Sequence, residues 1–334
     1  MSEHSAISWT GATWNPVTGC TKVSPGCANC YIERTPPFRM AGRRFVRGAI
    51  PVLLHRERLD QPLRWRKPRR VFVCSLADLF HDDVPDEFIG LVFAVMAAAE
   101  HHTFQVLTKR PDRMRRLLAD ASWHGEYVSK ARCLPGTFEH VAEWPLSNVW
   151  CGVSVENQRM ADERIPVLLD TPAAVRFLSC EPLLSALDLG LAKALPICRE
   201  ADEVTMFTSG TPDYIPFKRP GRGWYRFDAA TKPWVDWVIV GGESGPGSAE
   251  RKLVERCTWH RPADSGKHYG RVPCDCNGTG WRPKPQALEW VRSLRDQCVA
   301  AGVSFHFKQW GGKTPKTGGR LLDGRTWDEM PETR

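Results

Sequence analysis

Three cysteines fall within one short stretch, Gly19-Cys20-Thr21-Lys22-Val23-Ser24-Pro25-Gly26-Cys27-Ala28-Asn29-Cys30-Tyr31. Proline and glycine bend it into a loop, which suits a metal centre of either of two kinds. Three thiolates can hold three irons of a [4Fe–4S] cluster and leave the fourth iron open to a substrate or cofactor. The same three thiolates, joined by a distant His or Cys, can instead close a tetrahedral zinc site. Spacing alone leaves both open. A second group reads Cys257-Thr258-Trp259-His260, then Cys274-Asp275-Cys276. Cys257, His260, Cys274 and Cys276 form two ligand pairs suited to structural zinc, with His268 as a substitute ligand. Such a site would hold together an insertion too short to build its own core. The alternative is a surface loop with unpaired thiols. Cys74, Cys133, Cys151, Cys198 and Cys298 read as small core residues.

The elements that would position these groups are short β-rich runs with polar ends. They are Val71–Ser75, Thr103–Lys109, Asn148–Ser154, Val175–Glu181, Trp237–Glu243 and Ser304–Gln309. Near-continuous apolar runs of this length suit strands buried on both faces of a parallel sheet. Helical stretches separate them: Pro85–Glu100, Pro111–Leu118, Asn157–Asp170, and Pro285–Ala301 stopped by Gly302. Repeated alternation of strand and helix predicts an α/β protein, a partial or full (β/α) TIM-like barrel with a small zinc-binding insertion.

In such barrels chemistry gathers at the carboxyl ends of the strands. Those ends carry Ser75 and Asp78, Lys109 and Arg110, Ser154 and Glu156, Cys180 and Glu181, Glu243 and Ser244, and Lys308 and Gln309. Gly241-Gly242-Glu243-Ser244-Gly245 is a turn through which backbone amides could approach a ligand. No G-K-[ST] follows it, so it is no nucleotide P-loop. Lys109 could meet a carboxylate as a point charge, or lie solvated. Cys180 and Glu181 are candidates for catalysis; core packing of the thiol and an ion pair of the acid are the alternatives.

A cysteine loop ahead of a (β/α) barrel also matches the layout of radical S-adenosylmethionine enzymes. There the open iron chelates the amino and carboxylate groups of the methionine part. The usual spacing in that superfamily is C-x3-C-x2-C, whereas here it is C-x6-C-x2-C.

Composition bounds the rest. The 334 residues, 42% hydrophobic and 25% charged, exclude a disordered, collagenous or membrane class. The start, MSEHSAISWT, lacks the basic and apolar regions of a signal peptide, so a cytoplasmic protein is expected. In that compartment twelve cysteines are no disulfide framework. The formal charge of +8 permits a polyanionic partner. Eleven basic residues and only two acids, Glu57 and Asp60, lie between Arg39 and Arg70, with Phe45 and Trp65 among them. This reads either as a phosphate-tracking surface with stacking side chains or as a solvated face. Residues 1–70 are expected as an N-terminal cysteine-loop and basic segment, and 71–334 as the barrel body. Insertions are expected at 120–147, 186–234 and, for zinc, 255–283.

The stretch S-W-T-G-A-T-W-N-P-V-T-G-C-T-K-V-S-P-G-C-A-N-C-Y, from Ser8 to Tyr31, resembles the phage-type three-cysteine-motif family. The resemblance continues through V-F-V-C-S-L-A-D-L-F-H, V-L-T-K-R-P, G-V-S-V-E-N, L-S-C-E-P-L, V-I-V-G-G-E-S-G and F-H-F-K-Q-W-G, and so spans nearly the whole chain. More distantly, the layout is similar to spore photoproduct lyase, a radical S-adenosylmethionine enzyme that repairs thymine dimers. That similarity implies cofactor-binding roles for Ser75, Lys109 and Ser154, and a role for Tyr31 after the third cysteine.

Together these readings give an expected enzyme with a [4Fe–4S] cluster on Cys20, Cys27 and Cys30. S-adenosylmethionine would be held by Ser75, Lys109, Ser154 and Glu156, with Gly241, Gly242, Glu243 and Ser244 lining the mouth. Hydrogen abstraction would act on a nucleic-acid base, with an external reductant as electron donor. The rivals are a non-catalytic nucleic-acid-binding protein with zinc sites, and a zinc hydrolase using Glu181 and Glu243.

Overall fold

The apolar runs become strands of one parallel sheet. The computed structural model describes residues 5–127, 144–191, 217–218, 224–225, 235–245, 247, 249–257, 280–314 and 317–331. In chain order come β1 (Ala12–Trp14), β2 (Val17–Thr21), α1 (Pro36–Met40), β3 (Ala49–Leu54), β4 (Arg70–Val73) and α2 (Asp86–Ala98). Next are β5 (Thr103–Thr108), α3 (Pro111–Leu118), α4 (Ala121–Tyr127), β6 (Val149–Ser154), α5 (Gln158–Leu169) and β7 (Val175–Cys180). A two-residue ladder, β8 (Phe217–Lys218) with β9 (Trp224–Tyr225), precedes β10 (Trp237–Gly241). The chain then forms β11 (Val254–Arg256), β12 (Trp281–Pro283), α6 (Pro285–Ala301) and β13 (Ser304–Gln309).

The sheet order is β1-β4-β5-β6-β7-β10-β13, with every pairing parallel. Strands follow one another in chain order with no reversal. Right-handed crossovers then put all connecting helices on one face, and the sheet curls as an incomplete barrel. The opposite, concave face needs its own filling. Trp9, Phe72, Trp150, Phe177, Trp237 and Ile239 provide it, with Trp9 4.7 Å from Phe72 and 6.1 Å from Trp237 between ring centroids. Period-2 alternation sends Val71, Val73, Phe104, Val106, Leu178 and Val240 to the helix side.

Local chemistry explains the helix ends. Asn157 caps α5 by accepting a hydrogen bond from Met160 N at 3.0 Å. Gly302 closes α6 at φ +66°, a left-handed conformation natural to glycine. Asp86 and Glu87 complement the positive end of α2.

The first strand differs from expectation. Ala12–Trp14 pairs with Val71–Val73, so residues 12–14 of the N-terminal segment belong to the same sheet as the later strands. Between β1 and β4, β2 and β3 form an antiparallel hairpin on which Cys20 sits opposite Ile50. The 120–147 excursion begins with α4, and Trp123 and Trp144 both pack on Phe93. Most of 186–234 lies outside the described residues. Among the described residues no helix is long and apolar enough to cross a membrane, and no cysteine forms a disulfide.

Two features yield tests. A Cβ on Gly152 would lie 2.6 Å from three ring atoms of Phe177, deep between the inner faces of β6 and β7. Gly152→Ala is expected to lower the unfolding free energy by ~1–3 kcal/mol. Gly125→Ala in α4, where a new Cβ meets nothing within 4 Å, is expected to raise it by ~0.5–1 kcal/mol. Denaturant titration measures both, and equal effects would remove the packing argument.

His102 provides the second test. Its Nε2 donates to Pro62 O at 3.1 Å, and its Nδ1 accepts from Arg69 N at 3.2 Å, an arrangement only the neutral ring can make. Burial, assisted by neighbouring His101, pushes its pKa down to about 4. The unfolded chain therefore binds the extra proton first as pH falls. Stability from this group is complete above pH ~6.5 and declines towards pH 4, by up to about 3 kcal/mol. Unfolding midpoints measured from pH 8 to 4 should fall over that window, and His102→Gln should flatten the fall. An unchanged slope in the variant would count against the assignment.

Candidate cysteine-loop site

The cysteine loop lies across the carboxyl ends of the strands and is held there at three points. Each point pairs a carboxylate at the end of a sheet strand with an arginine. After β4, Asp78 accepts from Thr108 Oγ1 at 2.7 Å, Lys109 N at 3.0 Å and Arg110 Nη1 at 3.1 Å. Arg110 in turn reaches Thr21 O at 3.3 Å and Cys20 Sγ at 3.9 Å. After β6, Glu156 is fully buried between Arg164 Nη1, at 2.9 Å, and the Ser24 hydroxyl. Gly26 packs directly on it; a Cβ there would sit 2.5 Å from Glu156 Cγ. After β10, Glu243 takes two hydrogen bonds from Arg251, at 2.9 and 3.1 Å, and one from Asn29 Nδ2 at 3.1 Å. Arg251 also donates to Pro25 O at 3.0 Å. Burial pushes the Glu243 carboxyl up, but Arg251 and Asn29 outweigh it and hold the group below its usual range.

The sulfur atoms share one neighbourhood. Cys20 and Cys30 pack against a small apolar cluster of Ile32, Phe38 and Ile50. Burial raises the Cys20 thiol to about 11, Asp78 adds to the rise, Arg110 opposes it, and Cys27 adds a little more. Burial likewise raises Cys30, with Cys27 adding and Lys109 opposing. Among the described residues no three or more His, Cys, Asp or Glu side chains are gathered as a metal-ligand set. The fit to a metal centre therefore rests on the donors themselves: three thiols on one anchored loop, two of them under apolar cover.

Beneath the loop, Tyr31 exposes half its ring while its buried hydroxyl donates to Ser75 O. Burial, with Cys30 and Glu181 adding, pushes the phenol up, so it stays protonated at neutral pH. Ser75 Oγ donates to Asn15 Oδ1 at 3.1 Å. Ser154 is buried, and its carbonyl accepts from Arg164 at 2.7 Å. Lys109 is half-buried, and its ammonium has no hydrogen-bond or ion-pair partner among the described residues. Glu181 pairs with Lys308 at 2.8 Å, an approach that needs Gly241, whose Cβ would fall 2.5 Å from Glu181 Oε1.

Several expectations are corrected here. Cys180 is completely buried on the helix side of β7, facing away from Glu181, and burial drives its thiol far up, so it is a core residue. Glu156 and Glu243 have their oxygens engaged in holding the loop. Gly242 is small because Trp310 O would lie 2.1 Å from a Cβ, and Ser244 Oγ accepts from Gln309 at 2.7 Å. Trp65 packs in the core against His102 and is not open for stacking, while Phe45 is half-buried with Lys22 over one face of its ring. Cys257 directly follows β11 and is buried, with its N–H bonded to Gly280 O at 3.0 Å. His260, Cys274 and Cys276, like Cys133, Cys198 and His268, lie outside the described residues.

Sequence reasoning missed Asn15, Ser24, Asn29, Arg164 and Arg251. One signal was available: Glu156–Arg164 and Glu243–Arg251 both place an arginine eight residues after a strand-end acid.

If the clamps fix the loop, loosening them should expose its thiols without unfolding the barrel. Ser24→Ala with Asn29→Ala is expected to speed iodoacetamide labelling of Cys27 and Cys30 several-fold. The cost in unfolding free energy should be ~1–3 kcal/mol. Peptide mass spectrometry reads the labelling, and an unchanged rate would show that the loop is held by something else.

No curated protein and no solved structure matches the chain. A family model described as "Protein of unknown function (DUF5131)" matches residues 4–262 and 276–331. These segments take in most of the sequence, and the chain therefore belongs to the DUF5131 family.

Proposed function

We propose that the protein is a radical S-adenosylmethionine enzyme that holds a [4Fe–4S] cluster on Cys20, Cys27 and Cys30 and acts on a nucleic-acid base. The observation that carries this reading is the three-thiol loop clamped over the carboxyl edge of a singly wound parallel sheet. In a (β/α) barrel that edge is where reactants meet. The resemblance of the loop to the phage-type three-cysteine-motif family, and the distant similarity to spore photoproduct lyase, support the same reading. We read the incomplete barrel as TIM-like, and 255–283 as a zinc-binding insertion. Its β11–β12 stem brings the ends of the excursion together beside Cys257.

When held by Cys20, Cys27 and Cys30, the cluster with its cofactor would supply one-electron reductive chemistry for hydrogen abstraction, the electron coming from an external reductant. The chain's own residues bind, orient and shield. The uncommitted Lys109 ammonium suits a carboxylate. Ser75 and Ser154 line the same mouth, and Tyr31, held on Ser75 O, closes its side. The Glu181–Lys308 pair supplies a fixed dipole at the far rim. A base within a duplex would have to be extruded or met in a single strand.

Anaerobic reconstitution tests the proposal. About four irons and four sulfides per chain, and a visible spectrum bleached by dithionite, are expected. Dithionite-dependent cleavage of S-adenosylmethionine should be abolished by Cys30→Ala. Lys109→Ala should raise the KM for S-adenosylmethionine with iron content unchanged. Colourless protein carrying about two zinc ions per chain would instead support the non-catalytic zinc-containing reading.

A further inference from the structure

Residues 22–53 carry six basic side chains and a single acid, Glu33. Glu33 is already committed, accepting from Phe45 N at 3.2 Å. The same segment holds five of the seven large apolar side chains exposed among the described residues: Val23, Tyr31, Met40, Val46 and Leu53. Met40 is 83% and Val46 70% exposed. Both stand beside exposed arginines, Met40 next to Arg39 and Val46 between Arg44 and Arg47. None of these three arginines has an ion-pair partner among the described residues.

The scaffold beneath is cross-tied. Arg43 donates to Thr18 Oγ1 at 3.1 Å and Pro51 O at 2.5 Å, and its guanidinium lies over the Phe38 ring. Lys22 N bonds Gly48 O at 2.8 Å, which ties the end of β2, one residue past Cys20, to the turn. Val46 and Ala49 exchange hydrogen bonds around Arg47 and Gly48, which have φ +49° and +82°. That is a two-residue hairpin turn of the type that favours Asn or Gly at both centres. An arginine held in the left-handed region at an exposed tip works against the fold's own preference.

We propose that this tip, with Arg39 and Met40 of α1, is the nucleic-acid grip beside the cysteine loop. Arg39, Arg44 and Arg47 hold backbone phosphates, and Met40 and Val46 contact an unstacked base. The inference deepens the proposed function, on which it rests for the choice of occupant. Strong positive charge disfavours a second copy of this chain at the same surface. Exposed methionine and valine among arginines match apolar wedges that fill the gap beside a displaced base. The other half of the basic stretch is excluded from this surface by geometry. Arg66, Lys67 and Arg70 precede or begin β4, at least about 10 Å along the strand from its carboxyl end.

The test uses the full chain and a fluorescein-labelled 20-nucleotide single strand containing one 2-aminopurine. Arg39→Ala, Arg44→Ala and Arg47→Gly combined should weaken anisotropy-measured binding at least tenfold. The slope of log affinity against log salt should become shallower by about 2. Arg47→Gly alone should weaken binding while leaving the thermal midpoint equal or higher, which a merely structural arginine would not do. Met40→Ser should keep binding but lose the 2-aminopurine fluorescence rise that accompanies unstacking. Absent binding, or binding and salt slope unchanged in the triple variant, overturns the proposal. So does tighter binding of poly-glutamate than of the oligonucleotide, which would assign the face to an acidic protein. Iron and sulfide assayed on the same preparations separate the two readings. Iron-free protein that still grips through these arginines sustains this inference and removes the cluster.

Discussion

A carboxylate buried at a strand end is costly unless a cation meets it, and this molecule turns that requirement into a fastening. Glu156 is fully buried and Glu243 nearly so. Each is met by an arginine from the segment that follows, and each keeps one further acceptor position for the cysteine loop. Removing either arginine would leave a buried charge unpaired, at ~3–5 kcal/mol. The loop is thus tied to groups the sheet cannot release without losing stability. Asp78 extends the principle, since Arg110 carries its charge outward to Thr21 and Cys20.

The architecture makes such a fastening possible at one end only. A singly wound parallel sheet brings the carboxyl ends of all its strands to one edge. Its concave face is filled lower down by Trp9, Trp150, Phe177 and Trp237. Above this aromatic plug the inward-facing side chains become polar. There Ser154, Glu181 and Lys308 alternate with the outward-facing core residues Val153, Cys180 and Phe307. The same alternation that makes Glu181 part of the mouth makes Cys180 part of the core.

Much of this was legible in the sequence, and the misses have specific causes. Six strands and four helices follow from apolar runs and from end signals such as Asn157 and Gly302. β1 escaped because three residues carry no periodicity; only pairing with β4 defines it. The strand-end ring was visible as residue types, but not its division of labour. A sequence does not say whether Glu156 faces a ligand or Ser24. The basic stretch misled for a related reason. Charge read along the chain merges Arg39–Arg47, beside the cysteine loop, with Arg66–Arg70, at the opposite end of β4. Trp65, flanked by charges, is nonetheless buried because it packs on His102.

The distribution of polar contacts around the loop also separates its fixed parts from its reactive ones. Ser24, Asn29, Tyr31, Thr21 and Pro25 O are all engaged by the barrel or the segments above it. The sulfur atoms have weak contacts: Cys20 with Thr21 O at 3.6 Å and Arg110 at 3.9 Å, Cys27 with Ser24 Oγ at 3.8 Å, and Cys30 with the backbone N–H of Ile32. A buried thiol is a weak donor and loses little by lacking a strong partner, whereas a buried carboxylate loses a great deal. Stability alone would therefore use carboxylates for anchoring and tolerate open thiols. Because burial holds Cys20 and Cys30 protonated, any centre that takes their sulfurs has to displace protons, and its affinity would rise with pH. Strong hydrogen bonds fix the loop through Ser24, Asn29, Tyr31, Thr21 and Pro25, while its three sulfurs, held only weakly, are the part of this edge still able to acquire a new partner.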